Sequence, residues 1–483
     1  MKYLQKKSGF IFLSMIFWGI TGCNKMSDFG DRNVNPNYNV ILIPYTDALL
    51  TSAQSTLIDG ITTHFPEAAL YSQYFMNNNY PEPSLYQTTN ANWGNYYAVS
   101  MEDVQKMIDL NSNAETAKHP NVIRGGSTAN QLAIARIIKA YLFSVLTDRW
   151  GDVPYFQALA GNPNPVYDKQ QDIYTDLFKE LKTAKNQFDG GALKGDIVYN
   201  GNISKWKRLS NSIRMVLALR ISKIDAAKGR AEFIDALNDA DGRIEANADN
   251  FSVAFPGSAY KNPYFTTAGE YGLSKTFADV LNGYGDPRRG VYGTLSAGVS
   301  DGIPYGVRKS TLDNFISTHP NYAKVGDAFR QENSTICLLN AAQVFFTRSE
   351  AAKLGWSNEN IAVLYQNGVQ ASWQQYGISI TGLNVYLSNP AVALDGPNDV
   401  AKINIQKWIA IYPNGMEAWS EWRRTGFPAL LPAPDAVNAS KKIPRRYAYP
   451  LAEPNLNATN YSAAVSRIAG GDTHDGRVWW DKP

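Results

Sequence analysis

After Pro44, apolar residues recur at three- and four-residue steps through most of the chain, with polar positions between them. That period predicts helices with one buried face. In residues 130–150, Leu132, Ala135, Ile138, Leu142, Val145 and Leu146 spread around much of the circumference, broken by Arg136 and Lys139. This suits a helix buried in protein better than one spanning a membrane. Asp168 with Gln171 predicts a capping box, followed by Ile173, Leu177, Leu181, Ala184 and Phe188 at helical spacing until Gly190-Gly191. Trp206, Leu209, Ile213, Leu217 and Arg220 mark another helix, and 338–356, 359–376, 400–412 and 416–424 continue the series. The expected fold is mainly α. Helical pairs joined by turns suggest a solenoid, although no clear 34-residue self-similarity is visible.

Between the helices lie long stretches rich in Gly, Asn, Pro and Tyr, at 77–95, 251–271, 284–305 and 381–399. Loops of this length in a folded domain commonly carry function. Sugar binding needs ring faces to cover the C–H side of a pyranose and amides to meet its hydroxyls. Asn78, Tyr80, Tyr86 and Trp93 supply that mixture in the first stretch, and Tyr260, Tyr264 and Tyr284 supply it later. Trp93 also opens the helical pattern Trp93, Tyr96, Tyr97, Met101, Val104, which reads as core.

The first hydrophobic run changes the picture. Lys2, Lys6 and Lys7 precede a short apolar stretch that ends in Ile20-Thr21-Gly22-Cys23. It is shorter than the roughly 20 residues a membrane span needs, and it reads as a lipoprotein signal, residues 1–22, with Cys23 as the lipidation site. Residues 23–43, polar and rich in Asn, Asp, Gly and Pro, read as a tether and loop, and 44–483 as the ligand-binding domain. The run Asp31, Asn33, Asn35, Asn37 opens like a calcium loop, but Pro36 and Leu42 stand where that loop needs Gly and Glu.

Formal net charge is +3, and loss of the three signal lysines brings it to zero. A neutral chain offers no electrostatic footprint for nucleic acid or anionic lipid, so attachment falls to the acyl chains. Besides Cys23 only Cys337 is present, so no internal disulfide is expected, and Cys337 reads as a small buried hydrophobe. The four histidines are scattered, and no metal, nucleophile-elbow or phosphate-loop motif appears. No cofactor, metal or catalytic residue is expected. Glycoside hydrolysis needs only two carboxylates, for which Glu350 and Glu421 stand as candidates beside their simpler reading as buried structural acids.

Several segments resemble the SusD/RagB family of surface lipoproteins, in its SusD-like branch. The strongest is Asp148-Arg149-Trp150-Gly151-Asp152-Val153-Pro154-Tyr155, followed by Tyr167-Asp168-Lys169-Gln170-Gln171. Asn33-Val34-Asn35-Pro36-Asn37, Lys205-Trp206-Lys207, Asp286-Pro287-Arg288, Glu350-Ala351-Ala352, Glu417-Ala418-Trp419 through Pro428, and Ile443-Pro444-Arg445-Arg446-Tyr447 follow in the family's order. The resemblance implies tetratricopeptide-like helical pairs as scaffold, with irregular loops and short hairpins forming the ligand face. It implies an outer-membrane lipoprotein facing the cell exterior that binds a glycan or a peptide. A SusC-like TonB-dependent transporter is the implied partner, over which the protein sits as a lid. An enzyme acting on surface glycans, and an accessory subunit without ligand contact, are the alternative readings.

Overall fold

The long apolar helix expected near 130–150 runs Thr128–Trp150 and is largely buried within the protein. The computed structural model describes residues 42–62, 67–87, 90–258 and 260–483. Cys23, the signal segment and most of the tether lie outside these residues. Tyr45–Pro483 make up one compact unit.

In chain order the main helices are α1 (Thr46–Thr62), α2 (Glu102–Ser112), α3 (Thr128–Trp150), α4 (Gln170–Gln187), α5 (Ile203–Arg220), α6 (Ala226–Leu237), α7 (Ala341–Lys353), α8 (Ile361–Gln375), α9 (Asp399–Ala410) and α10 (Gly415–Thr425). Consecutive helices pack as pairs, α3 on α4, α5 on α6 and α7 on α8, and α9 lies against α7. The fold is therefore mainly α, built on helical pairs. Many of these helices start at a polar cap. Asn202, Asn340, Asn360 and Asn414 each accept the backbone N–H three residues on, as does Asp225. Each such cap contributes about 1 kcal/mol by satisfying a donor the helix leaves free.

Two boundaries differ from the periodic reading. Residues 336–339 are a strand, and Asn340 caps α7 behind it, because the apolar run Ile336 to Leu339 is buried by strand pairing. Asp168 does not cap α4. Its Oδ2 accepts the N–H groups of Tyr155 and Phe156, at 2.9 Å each, while Asp152 takes the Gln170 N–H at 2.9 Å. Asp152, 18 residues before Gln170, thus meets the start of α4 in place of Asp168.

Among the described residues six short strands pair as three two-stranded ribbons: β1 (Phe75–Asn77) with β5 (Tyr271–Leu273), β2 (Val153–Pro154) with β3 (Tyr167–Asp168), and β4 (Phe251–Val253) with β6 (Ile336–Leu339). All three are antiparallel. The first ribbon joins segments almost two hundred residues apart and positions the loop surface described below.

A buried ionic network ties the scaffold together. Lys407 of α9 reaches Glu350 of α7 at 3.0 Å and Glu421 of α10 at 2.7 Å. Arg424 pairs with both glutamates at 2.7 Å, and Arg220 of α5 pairs with Glu417 at 2.6 Å. Asp148, at the end of α3, accepts from the Tyr174 hydroxyl at 2.5 Å and from the Trp480 indole at 2.7 Å. Its partners are remote in sequence, so the Asp-Arg-Trp-Gly-Asp segment organises distant parts of the chain. Gly151 follows with φ of 84° and ψ of −120°, a conformation suited to glycine.

Candidate functional site

Asn77 at the end of β1 stands opposite Tyr271 at the start of β5. That register lays residues 78–80, leaving β1, beside residues 264–270, entering β5. Asn78 secures the junction, donating from its backbone N–H to Glu270 O at 2.8 Å and from Nδ2 to Gly269 O at 3.1 Å and the Tyr322 hydroxyl at 2.8 Å. The Asn77 side chain then accepts the N–H groups of Asn79 and Tyr80 at 2.8 and 2.7 Å. This Asx turn carries the chain outward, and Tyr80 emerges 62% exposed.

On the neighbouring segment, Asn262 Oδ1 accepts the Tyr264 N–H at 2.8 Å at the start of the short helix Tyr264–Thr267. The helix buries Tyr264 and leaves Phe265 41% exposed. Lys261 Nζ lies 5.0 Å from the Phe265 ring centre and 3.0 Å from Glu332. Hydrogen bonding from Lys261 holds the Glu332 carboxyl below the ordinary carboxylate range. A third segment completes the surface. Leu273 donates to Ala323 O at 2.8 Å, which holds exposed Asn321 and Lys324 beside β5.

Exposed rings at Tyr80 and Phe265, exposed amides at Asn79 and Asn321, and the exposed charges of Lys261 and Lys324 are carried by these three segments. Flat apolar faces with polar groups around them are what a sugar ring or a peptide requires.

The expected ligand residues are distributed unevenly. Tyr80 alone is largely exposed. Asn78 is buried and spends its side chain on the junction. Tyr86 is fully buried, packs edge-on against Tyr71 at 6.0 Å, and accepts the Ala433 N–H through its hydroxyl at 2.9 Å. Trp93 lies within 5.7 Å of Trp150, Tyr167 and Tyr449, so its ring is surrounded by other aromatics. Tyr264 is buried by the turn that exposes Phe265. Tyr260 is half-buried, packs on Phe255 at 5.1 Å and bonds through its hydroxyl to Ser55 O. Tyr284, also half-buried, follows the helix Lys275–Gly283, and its carbonyl accepts from Asn389. Phe265 and the Lys261–Glu332 pair were not singled out in the sequence. A helix of four residues has no readable period, and adjacency to Tyr264 was the one signal available.

The two carboxylates considered for hydrolysis are committed elsewhere. Glu350 and Glu421 are 2% and 6% exposed and are engaged by Arg424 and Lys407. Burial pushes both carboxyls up, but the cations outweigh it and hold both below the ordinary range. Cys337, expected as a small buried hydrophobe, is half-buried beside a cavity, with burial pushing its thiol up to about 11.

Residues 38–450 match the SusD-like_2 family model, described as starch-binding and associating with the outer membrane. The chain belongs to the SusD-like family. No curated protein matches it at a significant level. Among solved structures, a chitin-binding protein is 28% identical, with a TM-score of 0.79 over 91% of this chain and all of that one. A SusD homologue from Bacteroides uniformis is 26% identical, with a TM-score of 0.76 over 91% and 99% of the two chains. A chitin-binding SusD homologue from Flavobacterium johnsoniae shares the fold at 24% identity, with a TM-score of 0.74 over 90% and 98%. The SusD-like assignment accounts for the helical pairs and for the buried Asp-Arg-Trp-Gly-Asp-Val-Pro-Tyr segment, whose residues serve architecture.

Proposed function

We propose that this SusD-like protein is a non-catalytic, lipid-anchored glycan-binding protein of the outer-membrane surface, which passes its ligand to a SusC-like TonB-dependent transporter as its lid. The observation that carries the binding reading is the exposure of Tyr80, on the segment leaving β1, and of Phe265, on the short helix leading into β5, with β1 and β5 paired. Likeness to a chitin-binding protein makes oligomers of N-acetylglucosamine the first ligands to test. Two or three rings at about 1 kcal/mol each beyond area burial correspond to affinities on the order of micromolar to millimolar. Such weak capture suits a protein that must release its ligand to a transporter.

The anchor rests on Lys2, Lys6, Lys7 and the stretch ending at Cys23. Several acyl chains hold a protein at a membrane where one would be marginal. Engagement of Glu350 and Glu421 by arginine and lysine favours binding over hydrolysis, since neither carboxylate is free to take up or give a proton to a substrate.

Titration calorimetry with chito-, malto- and cello-oligosaccharides and short peptides tests the ligand class. Saturable glycan binding without product release supports the reading. Turnover, or binding confined to peptides, overturns it. Co-purification with a TonB-dependent barrel tests the partner, and incorporation of labelled palmitate that is lost in Cys23→Ala tests the anchor.

A further inference from the structure

Arg136 and Lys139, the two charges that interrupt the apolar pattern of α3, line a groove between α2, α3 and α4. Its volume of about 440 Å³ is that of a ligand site, for which about 300 to 1,000 Å³ is usual. Ile108 of α2 and Leu132 and Ala140 of α3 give it an apolar lining. Phe156, just after the β2 strand, also lines it and is 57% exposed. This ring is held in place. Its N–H donates to Asp168 at 2.9 Å, and it packs edge-on at 4.8 Å against Tyr155, whose hydroxyl donates to Asp176 of α4 at 2.9 Å. Neither Tyr80 nor Phe265 lines this groove.

The polar groups of the groove are anchored but only partly used. Arg136 donates through Nε and Nη2 to the two oxygens of Glu180 at 2.8 Å each, and through Nη1 to Gln187 Oε1 at 3.0 Å, so two of its five N–H groups remain. Lys139 donates to Gln105 Oε1 at 2.6 Å and keeps two more, while Gln105 itself donates to Asp109 at 2.7 Å. Gln187 keeps the N–H groups of Nε2, and the Ser112 hydroxyl is on an exposed residue. Asp176, which accepts from Tyr155 and lies 3.7 Å from Lys179, retains lone pairs, as does Glu180. Spare donors and spare acceptors thus line one volume with an exposed ring. Arg136 and Lys139 balance Asp176 and Glu180, so the lining has no net charge.

Resting on the glycan-binding reading, we infer that this groove is a second sugar site, in which Phe156 covers the C–H face of a neutral hexose unit while Lys139, Arg136 and Glu180 bond its hydroxyls. A sugar hydroxyl both donates and accepts, which suits a lining with spare groups of both kinds, and its bonds to charged side chains are roughly twice as strong as neutral ones. An acidic sugar or acidic peptide fits less well, because its carboxylate would lie beside Glu180 and Asp176. Phe156 follows directly on the Asp-Arg-Trp-Gly-Asp-Val-Pro-Tyr segment, so the stretch that organises the scaffold also presents the ring.

The test follows Phe156 by hydroxyl-radical labelling and mass spectrometry in the mature protein carrying Cys23→Ser, with saturating chitohexaose, maltohexaose or cellohexaose, and with tetra-alanine as the peptide probe. The expected result is that a hexaose slows labelling of Phe156, and slows it as much in Tyr80→Ala/Phe265→Ala. In that double variant Phe156→Ala should weaken the remaining binding by about fivefold, with the melting temperature unchanged because the ring is exposed. Lys139→Met, which keeps the stem and removes the donors, should weaken it as well. Unchanged labelling with every hexaose, slowing by tetra-alanine alone, slowing that vanishes in Tyr80→Ala/Phe265→Ala, or Phe156→Ala without effect on affinity overturns the second site, and glycan binding stands if calorimetry still detects a hexaose. Failure of all three hexaoses to bind overturns both.

Discussion

Arg424 donates to Glu350 through two nitrogens, Nη1 to Oε1 and Nη2 to Oε2, each at 2.7 Å, where both side chains are almost completely buried. The pair joins α10 to α7, and Lys407 from α9 and Glu421 from α10 close the network. Buried ion pairs of this kind contribute little net stability relative to apolar packing, but leaving one partner alone in the interior is expensive.

Glu350→Gln should therefore lower unfolding free energy by about 3 to 5 kcal/mol, measured by urea titration, without removing glycan affinity. Because the folded carboxyl is held below its ordinary range, its contribution is present above the unfolded value, about pH 4.3, and is lost as pH falls through the lower folded value. The variant should show a shallower acid limb than the parent. If Glu350→Gln instead abolishes turnover of a glycan at unchanged stability, the enzymatic reading is restored.

Tyr80 and Phe265 should separate from the other rings in a binding assay. Tyr80→Ala and Phe265→Ala are each expected to weaken glycan binding by roughly fivefold, from about 1 kcal/mol per ring, with melting temperatures unchanged. Affinity-gel retardation and calorimetry read the first effect, and thermal melts read the second.

Tyr86 should behave in the opposite way. It is fully buried and accepts the Ala433 N–H, so Tyr86→Ala is expected to cost about 3 to 5 kcal/mol as a large-to-small core change. Any loss of ligand in that variant should track unfolding and be restored by stabilising osmolyte.

Burial raises the Tyr86 phenol to about 12 from its ordinary 10.0. A raised folded value means the unfolded chain releases this proton first, so stability is expected to fall between pH 10 and 12, by up to about 1.4 kcal/mol per unit from this group. Tyr86→Phe should flatten that limb in denaturant titrations at successive pH values.

The helical class, the buried α3 and the approximate spans of α5, α8, α9 and α10 were legible in the chain because apolar spacing is a local signal. The role of Asp152 at the start of α4 was not, since it lies 18 residues before Gln170 and only the β2–β3 hairpin brings it there while turning Asp168 onto the N–H groups of Tyr155 and Phe156. Leu338 and Leu339, the end of the strand Ile336–Leu339, fell within the helical reading of 338–356, because two apolar residues beside a helix have no period of their own.

Sequence alone determined that Tyr, Trp, Asn and Gly concentrate in long loops between helices, and that a lipid-attachment pattern ends at Cys23. Tertiary structure decided which rings remain available to a ligand. Tyr80 and Tyr86 sit six residues apart in the same loop, yet an Asx turn off β1 directs one to solvent, while packing against Tyr71 and the 433 loop encloses the other. Composition sets how many rings a loop carries. Exposure depends on which distant segments, here β5 and the chain near Ala433, arrive to cover them.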